Sequence, residues 1–181
     1  AAADADREIA ASINNVSNDT GVSASAVTYA QLTVDATGAQ SFDLIGKNST
    51  AETISANITD TNDLTELADA INAKAASTGV YAELSDDKAT ITLANSEGYD
   101  IKLAWGSGDM AVQGVAADGE TVAGNVVDLS TAEPAVTVGG NLTFNAEKSY
   151  SVTTDEATPA SIGTAATMAS SLTSVGEVDI S

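Results

Sequence analysis

The sequence contains no cysteine and no histidine among its 181 residues. Without cysteine, the chain forms neither disulfides nor thiolate metal sites. Without histidine, it cannot build the Ser-His or Cys-His pairs of nucleophilic catalysis, nor histidine-ligated zinc. Paired carboxylates remain, but the adjacent pairs Asp86-Asp87 and Asp155-Glu156 would point to opposite faces of a strand. We therefore expect no catalytic residues and no enzyme activity.

Basic residues are scarce, because six lysines and arginines stand against 26 acidic residues and give a net charge of -20. The six stand singly along the sequence, whereas binding a nucleic-acid backbone requires clustered lysine and arginine. The same charge disfavours anionic membrane surfaces, and no run reaches the ~20 apolar residues of a membrane helix. We expect neither nucleic acid nor membrane as a partner, and an acidic surface that keeps the isolated chain a soluble monomer.

Motifs for cofactors and metals are also lacking. The stretch GSGDMA, residues 106–111, has the glycine spacing of a dinucleotide-binding turn, but no apolar helix stripe follows it. The acidic stretch DTNDLT, which begins at Asp60, has Thr65 where a calcium-binding EF-hand loop needs glycine. We therefore predict neither a cofactor nor a metal.

One phrase occurs twice in the sequence. INNVSNDTGVSA, residues 13–24, and INAKAASTGVYA, residues 71–82, share the pattern I-N-x5-T-G-V-x-A. Asp63, followed three residues later by Glu66, predicts a capping box at the start of a helix before the second copy, and Gly79 predicts its end. Apolar residues at helical spacing form one stripe of this helix: Leu64, Leu67, Ala68, Ile71 and Ala75.

The first copy predicts the same arrangement, with Gly21 at the end of a helix whose stripe is Ile9, Ile13 and Val16. Alternating residues predict strands after both copies: VSASAVTYAQLTV and QSFDLIG around the turn DATG, and VYAEL and ATITLA around SDDK. ETISANI before the second copy and YDIKLAW after it predict further strands. Beyond about residue 112 the sequence is β-rich and less regular, with hairpin tips expected at Asp118-Gly119 and Gly139-Gly140.

These patterns predict an α+β, β-rich fold with two related strand-helix-β-hairpin units and an additional irregular β-rich part. We place the first unit, a helix and a hairpin, at residues 1–48, the second unit at residues 49–111, and the β-rich part at residues 112–181. The repetition indicates two copies of one small module that share a core.

Most residues of the repeated motif have a local structural role. Isoleucine packs into a core, glycine ends a helix in the left-handed conformation, and valine opens a strand. The asparagine is the exception, because asparagine is mildly unfavourable inside a helix, and a hydrogen bond to the neighbouring hairpin is the explanation we can offer. The phrase therefore predicts structural motif residues: Ile13, Asn14, Thr20, Gly21, Val22, Ile71, Asn72, Thr78, Gly79 and Val80.

The stretches DREIAASINNVSNDTGVSASA and LADAINAKAASTGVYAEL resemble the IN motif of bacterial flagellins and related hook-associated proteins. The tail SVGEVDIS resembles the point where a flagellin chain returns from its variable outer region to its helical core. The resemblance implies a surface-exposed, hypervariable domain of flagellin, which is a non-catalytic structural component of the motility filament. It also implies an extracellular location on the bacterial flagellum, reached by export of the unfolded chain through the flagellar secretion channel.

The resemblance further implies partners and a modification. Neighbouring flagellin subunits would be bound through core regions that this sequence lacks, and the exposed domain would contact antibodies or host molecules as an antigen. Surface hydroxyls of such proteins carry O-linked sugars, and the candidate glycan area is Thr167, Ser170, Ser171 and Thr173.

An adhesin-like or hook-associated domain that binds carbohydrate or a partner protein is the alternative. Such a site would need exposed aromatic rings, and the available ones are Trp105, Tyr99 and Tyr81. We expect all three in the core, which favours the filament domain.

Overall fold

The structure, a computed structural model, describes residues 5–146, 150–153 and 167–169. It is rich in strands, and the predicted α+β, β-rich fold is confirmed. In chain order the helices and strands are α1 (Ala5–Asn15), α2 (Ser17–Thr20), β1 (Val22–Val34), β2 (Gly38–Ile45), β3 (Glu52–Ile58), α3 (Thr65–Asn72), α4 (Ala75–Thr78), β4 (Tyr81–Leu84), β5 (Ile91–Asn95), β6 (Ile101–Ser107), β7 (Met110–Val115), β8 (Val122–Leu129), β9 (Ala135–Val138), β10 (Asn141–Ala146), β11 (Ser151–Thr153) and β12 (Thr167–Ala169).

Two antiparallel sheets make up most of the described chain. The first has the strand order β4-β5-β1-β7-β8, with β10 also paired to β1, and the second has the order β3-β2-β6-β9. The long strand β1 is the link in the first sheet, because Val22–Val27 pair with β10 and later residues pair with β5 and β7. β11 and β12 form a separate antiparallel pair.

The main core joins both sheets to α3. Alternate residues of the strands point into it, as the burial of β5 and the first half of β6 shows. Burying an aliphatic or aromatic side chain of this size stabilises the fold by ~1.5–3 kcal/mol. Its largest members, each essentially without exposed surface, are Leu32, Phe42, Leu44, Ile54, Ile58, Leu64, Leu67, Ile71, Ile91, Leu93, Ile101 and Leu103.

A smaller apolar cluster lies where α1 packs on the start of β1 and on β10. Ala10, Ala24 and Ala26 are buried in it, while Ile13, Leu142 and Phe144 are only partly buried against it. The first copy of the motif therefore packs against a smaller and less buried apolar cluster than the second copy, which belongs to the main core.

The helix before the second copy differs in detail from the prediction. Its apolar stripe is buried as expected, but α3 begins at Thr65 with Leu64 as its N-cap residue, and the predicted capping box is wrong. Asp63 instead uses one carboxylate oxygen to accept hydrogen bonds from the backbone N–H and the hydroxyl of Thr65. The helix also breaks at Ala73-Lys74, where the Lys74 N–H turns to the Ile71 carbonyl one residue early, so α4 is a separate turn.

The stripe predicted around the first copy is wrong at Val16, which is 47% exposed. α1 ends at Asn15 and α2 starts at Ser17, so the break turns Val16 away from the cluster. Among the side chains of α1 that the structure describes, Ala10 and Asp6 are buried, and they lie about one and two turns before the half-buried Ile13.

The hairpin predicted after the first copy is also wrong, because β1 and β2 lie in different sheets. Leu32 on β1 and Phe42 on β2 are both fully buried in the main core. Crossing from one sheet to the other at residues 35–37 lets both strands bury their apolar faces in that core. Of the two expected hairpin tips, Asp118-Gly119 does join the paired strands β7 and β8, whereas Gly139-Gly140 joins β9 and β10 of different sheets.

Candidate functional site: the two Ile-Asn turns

We call residues 13–24 the first Ile-Asn turn and residues 71–82 the second Ile-Asn turn. Each runs from the end of one helix, through a short helical turn, into the start of a strand. The residues that match between the two turns can therefore be compared bond by bond.

The glycines occupy the same conformation. Gly21 has φ +69° and ψ 12°, and Gly79 has φ +69° and ψ 9°. Each N–H donates a hydrogen bond of 2.8 Å to the carbonyl four residues earlier, on Ser17 and Ala75. Only glycine adopts this left-handed geometry without a Cβ penalty, which explains the glycine of the phrase.

The threonines make the same two hydrogen bonds. The Thr20 hydroxyl donates to the Val16 carbonyl and accepts from the Val22 N–H, at 3.0 and 3.2 Å. The Thr78 hydroxyl donates to the Lys74 carbonyl and accepts from the Val80 N–H, at 3.1 and 3.2 Å. Each hydroxyl thus satisfies the hydrogen-bonding capacity of a backbone carbonyl at the helix end and of an N–H at the strand start.

The asparagines connect each helix to the following strand. Asn14 donates from Nδ2 to the Ala24 carbonyl at 2.7 Å and accepts the Ala24 N–H on Oδ1 at 2.8 Å. Asn72 makes the same pair with Ala82, at 2.9 Å each. A side-chain amide carries a donor and an acceptor in one plane, so it replaces the peptide group of a neighbouring strand.

This pairing explains two residues of the repeated motif, the asparagine and the final alanine. The final alanine, Ala24 or Ala82, is the residue whose backbone the asparagine brackets. Among the described residues, β4 is an end strand of its sheet, so Asn72 covers backbone groups on an edge that no further strand pairs. Sequence reasoning suggested a hydrogen bond to a hairpin but could not identify its partner, which lies ten residues along the chain in both turns.

The isoleucine and valine of the motif are buried to different extents in the two turns. Ile71 and Val80 have no exposed surface and belong to the main core. Ile13 and Val22 are half-buried. The second turn has further support, because Thr78 and Gly79 carbonyls accept hydrogen bonds from the Lys47 N–H and from the buried Asn95 amide.

The strands that follow the two turns have partners of different origin. Ala82 on β4 faces Leu93 on β5, the next strand of the same hairpin. Ala24 on β1 faces Phe144 on β10, which comes 120 positions later. The strand after the first Ile-Asn turn therefore takes its antiparallel partner from a distant part of the chain, whereas the strand after the second turn pairs with the next strand.

The fold shifts the pKa values of acidic side chains in a turn, in an ion pair and at one buried position. Hydrogen bonds from the Thr121 hydroxyl and from two backbone N–H groups lower the pKa of Asp118 to about 2. A hydrogen bond from Lys74, at 2.9 Å, lowers the pKa of Glu52 and ties β3 to the loop before α4. Burial, reinforced by the charge of Asp100, raises the pKa of Asp6.

The three aromatic side chains considered for ligand binding lie in different surroundings. Trp105 packs partly buried against the main core, and its indole N–H donates to the Gly108 carbonyl at 3.1 Å. Tyr99 is half-buried, with the Arg7 guanidinium 4.3 Å above its ring. The core placement expected for Tyr81 is wrong, because it is 57% exposed at the edge strand β4.

The candidate glycan area is described at one position. Thr167 lies in β12, opposite Thr153 of β11, while Ser170, Ser171 and Thr173 lie outside the described residues, as does the tail SVGEVDIS. No helix in the described part of the chain is both long and apolar enough to cross a membrane.

The repeated bonds define a structural module that joins a helix to a strand. Residues 41–97, which include the second Ile-Asn turn, match the family model of the flagellin hook IN motif. No curated protein matches the chain. The match supports a flagellin-related protein, of a structural and non-enzymatic family whose members assemble with other flagellin subunits into the flagellar filament, an extracellular appendage.

Proposed function

We propose that this chain is the surface-exposed, variable domain of a flagellin-type filament subunit, with a mechanical and antigenic role and no catalysis. The match of residues 41–97 to the flagellin hook IN motif carries the proposal. The first Ile-Asn turn supports it, because it repeats the glycine, threonine and asparagine bonds of the matched turn. We propose that it is a second, divergent copy of the same motif.

The two turns then have different tasks. The second holds α3 and β4 in the main core. The first leads into the stretch of β1 that pairs with β10, where Val22 lies opposite Ala146.

The surface fits exposure on an appendage. A net charge of -20 keeps neighbouring copies from associating through these faces. We assign contacts between subunits to flagellin core regions outside this chain, and contacts with antibodies or host molecules to its own surface. A chain with no cysteine and two prolines also suits export in the unfolded state through the flagellar secretion channel.

Immunogold electron microscopy tests this function. Antibodies raised against the purified chain should decorate intact flagella along their whole length, and preincubation with the chain should remove the label. Label confined to the junction of hook and filament would instead identify a hook-associated protein. Flagella without label, on cells whose secreted protein reacts with the antibody, would refute a filament component.

Carbohydrate binding, the alternative, is favoured by one observation, the exposed ring of Tyr81. A glycan array decides it, with Tyr81→Ala as the test variant and Trp105→Ala as the second. Sugar binding lost in Tyr81→Ala but kept in a variant at an exposed position such as Asn57→Ala would favour an adhesin-like domain.

A further inference from the structure

The tip of the hairpin between β7 and β8 contains the single Asp-Gly bond of the sequence, Asp118-Gly119, and the sequence has no Asn-Gly bond. Among the peptide bonds that follow aspartate, Asp-Gly rearranges most readily, because glycine has no Cβ to hinder its amide nitrogen from reaching the aspartate side chain. Asp118 is exposed and Gly119 is half-buried. Water therefore reaches this bond, and the hydrogen bonds of the turn decide whether it rearranges.

The rearrangement has two steps. First, the Gly119 amide nitrogen bonds to the Asp118 side-chain carbon Cγ and closes a succinimide ring. One water leaves, with its oxygen and one hydrogen from the neutral carboxylic acid and its other hydrogen from the Gly119 N–H. Water then adds to either ring carbonyl, and the product is aspartate or isoaspartate. The reaction thus needs a neutral carboxyl group, a free N–H and a side chain that can turn toward it.

The carboxylate of Asp118 is held by the two residues that follow Gly119. Oδ1 accepts hydrogen bonds from the Glu120 N–H at 3.0 Å and from the Thr121 N–H at 2.9 Å, and Oδ2 accepts from the Thr121 hydroxyl at 2.6 Å. These bonds, the one from the hydroxyl above all, lower the pKa of Asp118 to about 2. The folded turn therefore contains very little of the neutral acid that ring closure consumes.

The attacking nitrogen is held as well. The Gly119 N–H donates to the Ala116 carbonyl at 3.0 Å, and the Ala116 N–H donates to the Thr121 carbonyl at 2.8 Å. Gly119 has φ +76°, the left-handed conformation that closes a hairpin of this kind. A Cβ built on Gly119 would lie 3.5 Å from Cζ of the Tyr29 ring, so the turn also lies close to β1. The nitrogen cannot approach Cγ without breaking these bonds.

We propose that Asp118-Gly119 is a latent isoaspartate site, which the folded turn keeps unreacted and which reacts in the unfolded chain. Unfolding removes the three donors to the carboxylate, and the pKa of Asp118 returns to the ordinary 3.8. It also frees the Gly119 N–H from the Ala116 carbonyl. The inference is independent of the proposed function, because it uses the hairpin tip alone.

Isoaspartate at residue 118 would also impair refolding of this hairpin. The side-chain carbons of the aspartate become part of the main chain, which lengthens the tip by one methylene. The Glu120 and Thr121 donors then lose the acceptor that the native turn gives them. Since β8 is an end strand of the first sheet and pairs with β7, a longer tip shifts the register in which Val122 faces Val115. The modification would therefore mark chains that have stayed unfolded and would hinder their return to the native fold.

Incubation of the full chain at mildly acidic pH, with and without urea, tests the proposal. Enzymatic methylation of isoaspartate gives the rate, and mass spectrometry with electron-transfer fragmentation locates the product at residue 118. Thr121→Val is the test variant, because it removes the hydroxyl donor and keeps the backbone N–H. Thr137→Val, the same change at an exposed position of β9, is the matched control. Circular dichroism verifies that each chain is folded without urea and unfolded with it.

We expect isoaspartate to form about tenfold or more slowly in the folded native chain than in urea, because the lowered pKa of Asp118 leaves much less neutral acid. Thr121→Val should accelerate the reaction severalfold in the folded chain, and Thr137→Val should leave it unchanged. In urea the three chains should react at one rate, since the turn is then absent.

Equal rates in the native chain with and without urea would overturn the proposal. A folded Thr121→Val chain that reacts no faster than the native chain would overturn the protective role of the carboxylate bonds. If Thr121→Val does not fold, the native chain compared with and without urea decides alone.

Discussion

Asn72 brackets Ala82 by donating to its carbonyl and accepting from its N–H, each at 2.9 Å, so one side chain supplies both bonds of a missing strand neighbour. Asn14 and Ala24 repeat the arrangement in the first Ile-Asn turn. The relationship gives the asparagine of the phrase a physical reason, since the asparagine holds the helix end against the strand.

Replacing Asn72 tests the contribution of this bracket. Asn72→Ala should lower the free energy of unfolding by about 1–3 kcal/mol, because two hydrogen bonds at an exposed sheet edge are lost. Asn72→Asp should not restore stability, since a carboxylate accepts the N–H but repels the carbonyl oxygen. Urea denaturation measures both, with the exposed Asn57→Ala as the control, and a change in Asn72→Ala no larger than in the control would contradict the assignment.

Alanine substitutions at Gly21 and Gly79 separate two costs of adding a side chain, the strain of the left-handed conformation and the steric contact with neighbours. An added Cβ at Gly21 meets nothing within 4 Å, whereas at Gly79 it would lie 3.0 Å from the Lys47 Cδ. Gly21→Ala should therefore cost the left-handed conformation alone, about 1–2 kcal/mol, and Gly79→Ala should cost more. Equal losses in urea unfolding would show that the contact with Lys47 is without effect.

Asp118 should titrate far below an ordinary aspartate. Hydrogen bonds hold its folded pKa at about 2, below the ordinary 3.8, so its contribution to stability is present above pH 4 and is lost as pH falls through 2. Carbon-detected NMR titration should give a midpoint near 2 for Asp118. Thr121→Val should move that midpoint upward, and a midpoint near 4 in the native chain would show that the carboxylate is free in solution.

The pKa of Asp6 should be shifted in the opposite direction from that of Asp118, upward. Burial and Asp100 raise its pKa, so it favours the folded state most at pH values below its unfolded pKa, and that contribution is lost as pH rises through its folded pKa. The stability advantage of Asp6→Asn over the native chain should therefore grow from pH 3 to pH 7. An advantage that does not change with pH would mean that Asp6 is not the perturbed group.

Local patterns in the sequence predicted a good part of this fold. β1 and β3 begin and end where VSASAVTYAQLTV and ETISANI do, because alternation and flanking turn residues are local signals. Gly21 and Gly79 end their helical turns as predicted, since a left-handed residue is a requirement of the backbone at one position.

Pairings between distant residues could not be predicted in this way. The partner of Ala24 is Phe144, and nothing in either strand specifies the other. The exposure of Val16 depends on a one-residue break between α1 and α2 that the apolar spacing conceals.

The central claim is that the asparagine of each Ile-Asn turn holds the helix end to the following strand. Hydrogen exchange of the Ala24 and Ala82 amides, which donate to these asparagines, tests this claim most directly. Asn72→Ala should accelerate exchange of the Ala82 amide while the Leu93 amide on the paired strand keeps its protection, and Asn14→Ala should do the same at Ala24. Unchanged exchange at Ala82 and Ala24, or equal acceleration at every strand amide, would contradict the account.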